Sequence, residues 1–192
     1  MKVIAIANQK GGVGKTTTAV NLSAALAAME KRMLLIDLDP QGNATVSVGL
    51  QKGDLAATAF ELLVDQQPLS EVATPLESLG MDCVPADGDL TAAEVALLSV
   101  EDREQRLKTA LKAGKLLYDF VIIDCPPSLN MLTLNALVAA DSVLITMQCE
   151  YFALEGLSAL METINTVSQT VNPTLKIEGI LRTLYDPRNA LT

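Results

Sequence analysis

Residues 8 to 18 read Asn-Gln-Lys-Gly-Gly-Val-Gly-Lys-Thr-Thr-Thr, and this stretch decides the fold. An apolar run, residues 3 to 7, comes directly before it, and apolar residues at helical spacing follow it. A strand, a glycine-rich turn and a helix in this order are the context in which such a stretch binds phosphate. We therefore predict a phosphate loop between the first strand and the first helix.

The residue types of this loop suit an anion. Gly11, Gly12 and Gly14 have no Cβ, so the backbone can curl with successive N–H groups pointing inward. The following helix adds its positive end. Lys15 is predicted to reach the β- and γ-phosphates of a nucleotide, and the Thr16 hydroxyl to ligate Mg²⁺. The loop residues predicted to bind the nucleotide are Gly11, Gly12, Val13, Gly14, Lys15, Thr16 and Thr17.

The loop departs from the usual phosphate-loop pattern in one informative way. That pattern has glycine where this chain has Gln9, and a second lysine, Lys10, opens the loop instead. This is the deviant Walker A form, and with it the chain resembles the ParA/MinD group of P-loop ATPases. The resemblance implies that Lys10 crosses a dimer interface and contacts the nucleotide held by the other subunit.

Two later apolar runs end in aspartate. Residues 120 to 124, Phe-Val-Ile-Ile-Asp, have the Walker B pattern, and a carboxylate at Asp124 can hold Mg²⁺ directly or through water. Residues 33 to 39 contain Asp37 and Asp39, which we expect on the same side of one strand. Such runs are typical of parallel strands that are buried on both faces and deliver side chains to a site at their carboxyl ends.

The sequence from residue 37 to residue 43, Asp-Leu-Asp-Pro-Gln-Gly-Asn, is similar to the switch I motif of ParA and less similar to that of MinD. The resemblance implies that Asp39 orients the attacking water and that Asp37 lies near the metal, together with Thr16 and Asp124. Because an ordinary aspartate is a poor base at neutral pH, we expect positioning rather than proton abstraction, and slow hydrolysis. The predicted catalytic residues are Lys10, Lys15 and Asp39.

Three more segments resemble ParA-like sequences: residues 124 to 128 (switch II), residues 148 to 156, and residues 179 to 186. Glu150 either reaches the partner's nucleotide or is an acidic residue at a helix start. The resemblance also places Tyr185 and Asp186 near the adenine. Arg188 matches a DNA-contacting arginine of the family, although an exposed arginine can also be a solvated surface residue.

The overall composition restricts the remaining possibilities. A chain of 192 residues, 49% apolar and 3% aromatic, predicts one domain with an aliphatic core. The chain has no histidine, which excludes histidine-based catalysis and histidine metal sites. A net charge of −9 argues against an overall electrostatic surface for nucleic acid, so DNA binding would need a local basic patch or a second subunit.

Strands that alternate with helices predict an α/β fold, a mostly parallel twisted sheet with helices on both faces, in one domain over residues 1 to 192. The spacings of Thr91 with Glu94, and of Ser99 with Asp102, predict two capped helix starts. The chain stops before the C-terminal part of ParA-like sequences. We therefore expect a C-terminally truncated domain that lacks part of the adenine pocket and of the DNA surface.

Three functions follow as hypotheses. The first is a cytoplasmic partition ATPase for chromosomes or plasmids: ATP closes a homodimer, the dimer binds double-stranded DNA without sequence preference on the nucleoid, and a ParB-like partner stimulates Mg²⁺-dependent hydrolysis. The second is a membrane-associated positioning ATPase of the MinD kind, marked by a C-terminal amphipathic helix; the switch I residues favour the first, for which no membrane partner is expected. The third is a non-hydrolysing nucleotide-binding scaffold.

Overall fold

A computed structural model of the chain describes residues 1 to 113, 117 to 149, 153 to 185 and 188, with the backbone alone for residues 153 to 155. The strands are Lys2–Ala7 (β1), Met33–Asp37 (β2), Thr74–Leu76 (β3), Met81–Val84 (β4), Phe120–Asp124 (β5), Ser142–Gln148 (β6) and Lys176–Thr183 (β7). The α-helices are Lys15–Ala28 (α1), Asn43–Ser47 (α2), Leu69–Val72 (α3), Leu90–Leu98 (α4), Arg106–Ala113 (α5), Met131–Ala139 (α6) and Ala153–Thr170 (α7). Short 3₁₀ segments span Lys52–Asp54 and Arg103–Gln105, and a π-helical turn spans Glu61–Asp65.

These strands form one sheet in the order β3-β4-β2-β5-β1-β6-β7. Every neighbouring pair is parallel except β3 with β4, which is antiparallel. This arrangement confirms the predicted fold class. Strand β3 was not predicted, since it is short and contains Pro75; a proline is tolerated there because β3 lies at the edge of the sheet.

Alternate residues of the central strands pack against opposite layers. In β1, Val3 and Ala5 belong to the core formed with α4, α5, α6 and α7, whereas Ile4 and Ile6 belong to the core formed with α1 and α2. Burial on both faces is the reason that these strands are continuous apolar runs in the sequence. In the part of the chain that the structure describes, no helix has both the length and the apolar character needed to cross a bilayer.

The two predicted capping boxes were wrong. Helix α4 begins at Leu90, so Thr91 lies within its first turn. Ser99 is the C-cap of α4, where its hydroxyl donates to the carbonyl of Ala96, and the next α-helix begins only at Arg106. The N–H groups of Leu90, Thr91 and Ala92 already donate to carbonyls three residues earlier, so the helical turn begins before Thr91 and Thr91 cannot be the N-cap.

Candidate active site

The carboxyl ends of β2, β5 and β1 meet at one edge of the sheet. Asp124 pairs in register with Asp37 of β2 and with Ile6 of β1. Ile36 and Ile123, the residues before the two aspartates, face the α4–α7 layer, so both aspartates turn to the opposite face, where α1 lies. Because the loop between β1 and α1 reaches the same face, the topology brings the loop and both carboxylates together.

The loop of residues 8 to 14 needs glycine at specific positions. Gly12 and Gly14 have φ angles of 72° and 81°, in the left-handed region that residues with a Cβ rarely adopt. Gly14 is the N-cap of α1, and its carbonyl accepts the N–H of Thr18 at 2.9 Å. A Cβ on Gly14 would also stand 3.3 Å from Cγ2 of Thr183, so both the backbone angle and the available space favour glycine.

Two side chains pin this loop to neighbouring strands. The buried Asn8 donates from Nδ2 to the carbonyl of Thr146 on β6 at 2.5 Å, and its Oδ1 accepts the N–H of Lys10 at 2.9 Å. Thr183, the last residue of β7, donates from Oγ1 to the carbonyl of Val13 at 2.9 Å. Sequence reasoning missed Asn8 and Thr183 as site residues, since the only available signal was their position beside the loop and at a strand end.

The two lysines of the loop have different surroundings. Lys15 is 7% exposed, and its ammonium donates to the carbonyl of Lys10 at 3.1 Å. Burial lowers the pKa of Lys15, while the nearby Asp124, Cys125 and Asp39 act in the opposite direction. Lys10 is half-buried at the start of the loop. Its backbone is therefore held by Asn8 on one side and by the Lys15 ammonium on the other.

Asp124 is the most unusual acid of the site. It has no exposed surface, and neither carboxylate oxygen makes a hydrogen bond of normal geometry with any described residue. Burial raises the pKa of Asp124 to about 7, and the charges of Asp37 and Asp39 add to the rise. The Thr16 hydroxyl and the Lys15 ammonium lie close enough to oppose it. Two buried carboxyl oxygens that lack hydrogen bonds of normal geometry, close to a hydroxyl, fit a hard divalent cation such as Mg²⁺, which would also favour the ionised form of Asp124.

The donor set also agrees with the way Mg²⁺ binds in phosphate sites. Among the residues that the structure describes, no three cysteine, aspartate or glutamate side chains converge to hold a metal by themselves. Mg²⁺ usually keeps several waters and takes one or two protein oxygens together with substrate phosphates. That Asp124 and Thr16 supply those protein oxygens stays a prediction.

The two aspartates of switch I are separated by the end of the strand. Strand β2 ends at Asp37, so the expectation that both lie on one side of the same strand was wrong, and Asp39 lies in the following loop. Asp39 is 8% exposed, and its Oδ1 accepts the N–H of Gln41 at 2.9 Å. Asp37 has no exposed surface, and burial raises its pKa to about 6, against hydrogen bonds from Thr45 and the Asp39 N–H that lower it.

A cleft of about 760 Å³ opens along the loop, within the size range of small-molecule sites. It is lined by residues of the phosphate loop, switch I, switch II and the end of β7: Gly11, Gly12, Gly14, Lys15, Thr16, Thr17, Thr18, Asp39, Gln41, Asn43, Ser47, Pro127, Thr183 and Leu184. Most of the predicted nucleotide-binding loop thus shares one cavity with Asp39. Ser47 and Leu184 are lining residues that the sequence did not reveal.

The remaining predicted residues lie near the end of the chain or outside the described part. Tyr185 is 55% exposed, with the guanidinium carbon of Arg182 5.4 Å from its ring centroid, and Arg188 is exposed. Glu150 and Asp186 lie outside the described residues. The contacts proposed for the adenine and for DNA therefore stay predictions.

Comparison with known proteins decides the family. The sequence profile of a family described as AAA domain matches residues 1–177. The chromosome partitioning protein ParA of Myxococcus xanthus is 55% identical over 97% of this chain and 66% of its own length. The sporulation initiation inhibitor protein Soj of Bacillus subtilis is 53% identical over 99% of this chain and 75% of its own length. The chain belongs to the ParA/Soj family of partition ATPases.

A solved structure has the same fold and contains bound ligands. It is titled cobyrinic acid a,c-diamide synthase from Mycobacterium smegmatis, with bound ATP analog and magnesium. It superposes with a TM-score of 0.94 at 46% identity, and the match covers 98% of this chain and 77% of that one. The predicted resemblance and the fold class are thus both confirmed.

Proposed function

We propose that this ParA/Soj chain is a slow, Mg²⁺-dependent ATPase whose ATP-bound form acts in chromosome or plasmid partition. The observation that carries the proposal is the buried carboxylate of Asp124, whose oxygens accept no hydrogen bond of normal geometry from the described residues, close to Thr16 and Lys15 of the phosphate loop. The ATP analog and magnesium bound to the Mycobacterium smegmatis protein support the same ligands for this cleft.

Nucleotide binding would begin at the loop. In the chain by itself, the Lys15 ammonium donates to the neutral carbonyl of Lys10. A γ-phosphate oxygen would replace that carbonyl, giving a charge-assisted hydrogen bond roughly twice as strong. The N-terminus of α1, at Gly14, would add backbone N–H donors. Asp124 and Thr16 would hold Mg²⁺, which supplies neutralisation of the phosphate charge.

Hydrolysis would depend on Asp39. The N–H of Gln41 fixes one of its oxygens, so the orientation of the carboxylate is set before a water arrives. We assign the other oxygen to accept a hydrogen bond from the attacking water and to align it with the γ-phosphorus. The new bond joins the water oxygen to phosphorus while the bond to the bridging oxygen breaks, with its electron pair staying on ADP. One proton of the water stays on the phosphate that forms, and the other is released to solvent. We expect slow turnover because an aspartate is a poor base at neutral pH, so Asp39 positions the water without removing its proton.

Coupling to DNA would pass through dimerisation. Lys10 of a second copy is proposed to reach the phosphates of the bound ATP, so that two subunits enclose two nucleotides. Individual phosphate contacts are weak, and joining two DNA-contacting surfaces in one dimer multiplies their effect. In a chain of net charge −9, the exposed Arg188 is our candidate for such a contact. A ParB-like partner would stimulate hydrolysis and reset the cycle, and the ATP-bound dimer would be associated with the nucleoid.

Phosphate release tests the enzyme part of this proposal. We expect Mg²⁺-dependent release by the unmodified chain and its loss in Asp124→Asn. Binding of ATP without any Mg²⁺-dependent release would instead support a non-hydrolysing scaffold. DNA gel shift and vesicle co-sedimentation, each with ATP and with ADP, separate partition from membrane positioning: ATP-dependent binding to vesicles but not to DNA would contradict the partition role.

A further inference from the structure

A single buried threonine closes the loop that carries Asp39. Thr45, in α2, has no exposed surface. Its N–H and its hydroxyl both donate to Oδ2 of Asp37, at 2.9 Å and 2.8 Å. The other carboxylate oxygen of Asp37, Oδ1, accepts the N–H of Asp39 at 3.1 Å. These three hydrogen bonds, which we call the Asp37–Thr45 clasp, join the two ends of the segment from residue 39 to residue 45.

The clasp is also attached to the segment that follows β4. The Thr45 hydroxyl oxygen accepts the N–H of Ala86, two residues beyond the end of β4, at 2.8 Å. Gly42, in the middle of the loop, lies against the same residue, because a Cβ placed on Gly42 would stand 2.5 Å from the Ala86 carbonyl oxygen. The loop is therefore fixed between the end of β2 and the segment that follows β4.

We propose that Asp37 and Thr45 are positioning residues that set the orientation of Asp39, and that Asp37 does not ligate the metal. The proposal rests on the function given above. A carboxylate has about four sites for hydrogen-bond donors, and three of those on Asp37 are filled by its own loop. Asp124, its neighbour across the sheet, has none filled by a normal hydrogen bond from the described residues. The two acids therefore have different roles: Asp124 binds the cation, and Asp37 holds the loop that carries Asp39.

The chemistry of threonine explains why a hydroxyl is needed at this position. The Thr45 hydroxyl donates its proton to Asp37 and accepts the N–H of Ala86 at the same time. Valine would keep the shape of the side chain and lose both hydrogen bonds, leaving a buried N–H without its partner. Serine would keep both. The pair Thr45→Val and Thr45→Ser therefore isolates the hydroxyl.

Comparing kcat with the Kd for nucleotide shows whether Thr45 positions Asp39 or contributes to nucleotide binding. For Thr45→Val we expect the kcat for phosphate release to fall about tenfold or more, because small misplacements of a positioning group are costly. The Kd for a fluorescent ATP analogue with Mg²⁺ should change less than about threefold. Thr45→Ser should recover most of the kcat. An equal loss of turnover and affinity in Thr45→Val, or a serine variant as impaired as the valine variant, would overturn the proposal.

The metal assignment has its own test. The Mg²⁺ concentration that gives half-maximal binding of the ATP analogue is measured in Asp37→Asn and in Asp124→Asn. We expect it to rise about tenfold or more in Asp124→Asn and to stay within about twofold of the unmodified chain in Asp37→Asn. Equal rises in the two variants would show that Asp37 ligates the metal, and this comparison decides the matter even if Thr45→Val does not fold.

A third measurement needs no nucleotide. Amide hydrogen exchange at Asp39 and Ala86 should be faster in Thr45→Val than in the unmodified chain, and unchanged in Thr45→Ser. If amide exchange at Asp39 and Ala86 were unchanged in Thr45→Val, the Asp37–Thr45 clasp would not hold the loop and the proposal would be wrong. If the unmodified chain released no phosphate while Thr45→Val still accelerated exchange, the proposed ATPase function would fail and the clasp would stand. The two ideas can therefore fail separately.

Discussion

The buried carboxylate of Asp124 makes the stability of the nucleotide-free chain depend on pH in a defined direction. Its pKa rises from 3.8 to about 7 on folding, because burial disfavours the charged form. Between those two values the folded chain keeps a proton that the unfolded chain has released, so the free energy of unfolding falls as pH increases. Asparagine at this position cannot ionise. Asp124→Asn should therefore remove this part of the pH dependence.

The magnitude follows from the pKa. Each pH unit between the unfolded and the folded pKa costs about 1.4 kcal/mol, so Asp124 should cost about 3 kcal/mol of stability between pH 5 and pH 7. Asp37, with a folded pKa of about 6, adds roughly 1 kcal/mol between pH 5 and pH 6. The unmodified chain should thus lose about 4 kcal/mol from these two groups by pH 8, and Asp124→Asn roughly 1 kcal/mol.

Urea denaturation at pH 5 and pH 8, with EDTA to remove divalent cations, measures this difference. An unpaired buried amide in Asp124→Asn lowers the stability at both pH values and so cancels in the comparison. Asp54→Asn is the matched control, because Asp54 is exposed, and it should follow the unmodified chain. If Asp124→Asn loses as much stability as the unmodified chain between the two pH values, Asp124 is not held in the environment described here.

Three further substitutions test the site. Lys15→Ala should weaken binding of a fluorescent ATP analogue by about 100-fold or more, since it removes a charge-assisted contact; an unchanged titration would exclude the role of Lys15. Asp39→Ala should remain an ATP-bound dimer on a sizing column because hydrolysis is blocked, and monomeric elution with ATP would contradict its role. Gly42→Ala and the control Gly49→Ala, with φ angles of 56° and 93°, should each lose roughly 1–2 kcal/mol in urea denaturation for the left-handed backbone. Gly42→Ala should lose more, because only its Cβ would meet the Ala86 carbonyl, and equal losses would refute this packing.

Much of the central sheet could be predicted from the sequence. Strands β1, β2 and β5 are continuous apolar runs, because both of their faces are covered by helices, and the phosphate loop marks the junction of β1 with α1. Such runs identify a strand but do not define its end. Strand β2 ends at Asp37 because the chain turns there: the backbone N–H of Asp39 donates to the Asp37 carboxylate and not to a neighbouring strand.

Local sequence signals misplaced one helix start and missed one strand. The spacing of Thr91 with Glu94 is that of a capping box, yet α4 has Asp89 as its N-cap, two residues before Thr91, and the Thr91 N–H already donates to the Gly88 carbonyl. Pro75 argued against a strand, and yet β3 forms, because an edge strand does not need every N–H in the ladder.

The sequence by itself determined the phosphate loop, its two lysines and the acid at the end of β5, because glycine conformations and strand ends are local properties that a short pattern records. Only the tertiary structure decided how these parts are held. Thr183 donates to Val13 across 170 positions, and Ala86 donates to Thr45 across 41. A hydrogen bond between distant segments leaves no periodic or local signal, since its partners become neighbours only when the sheet brings their strands together.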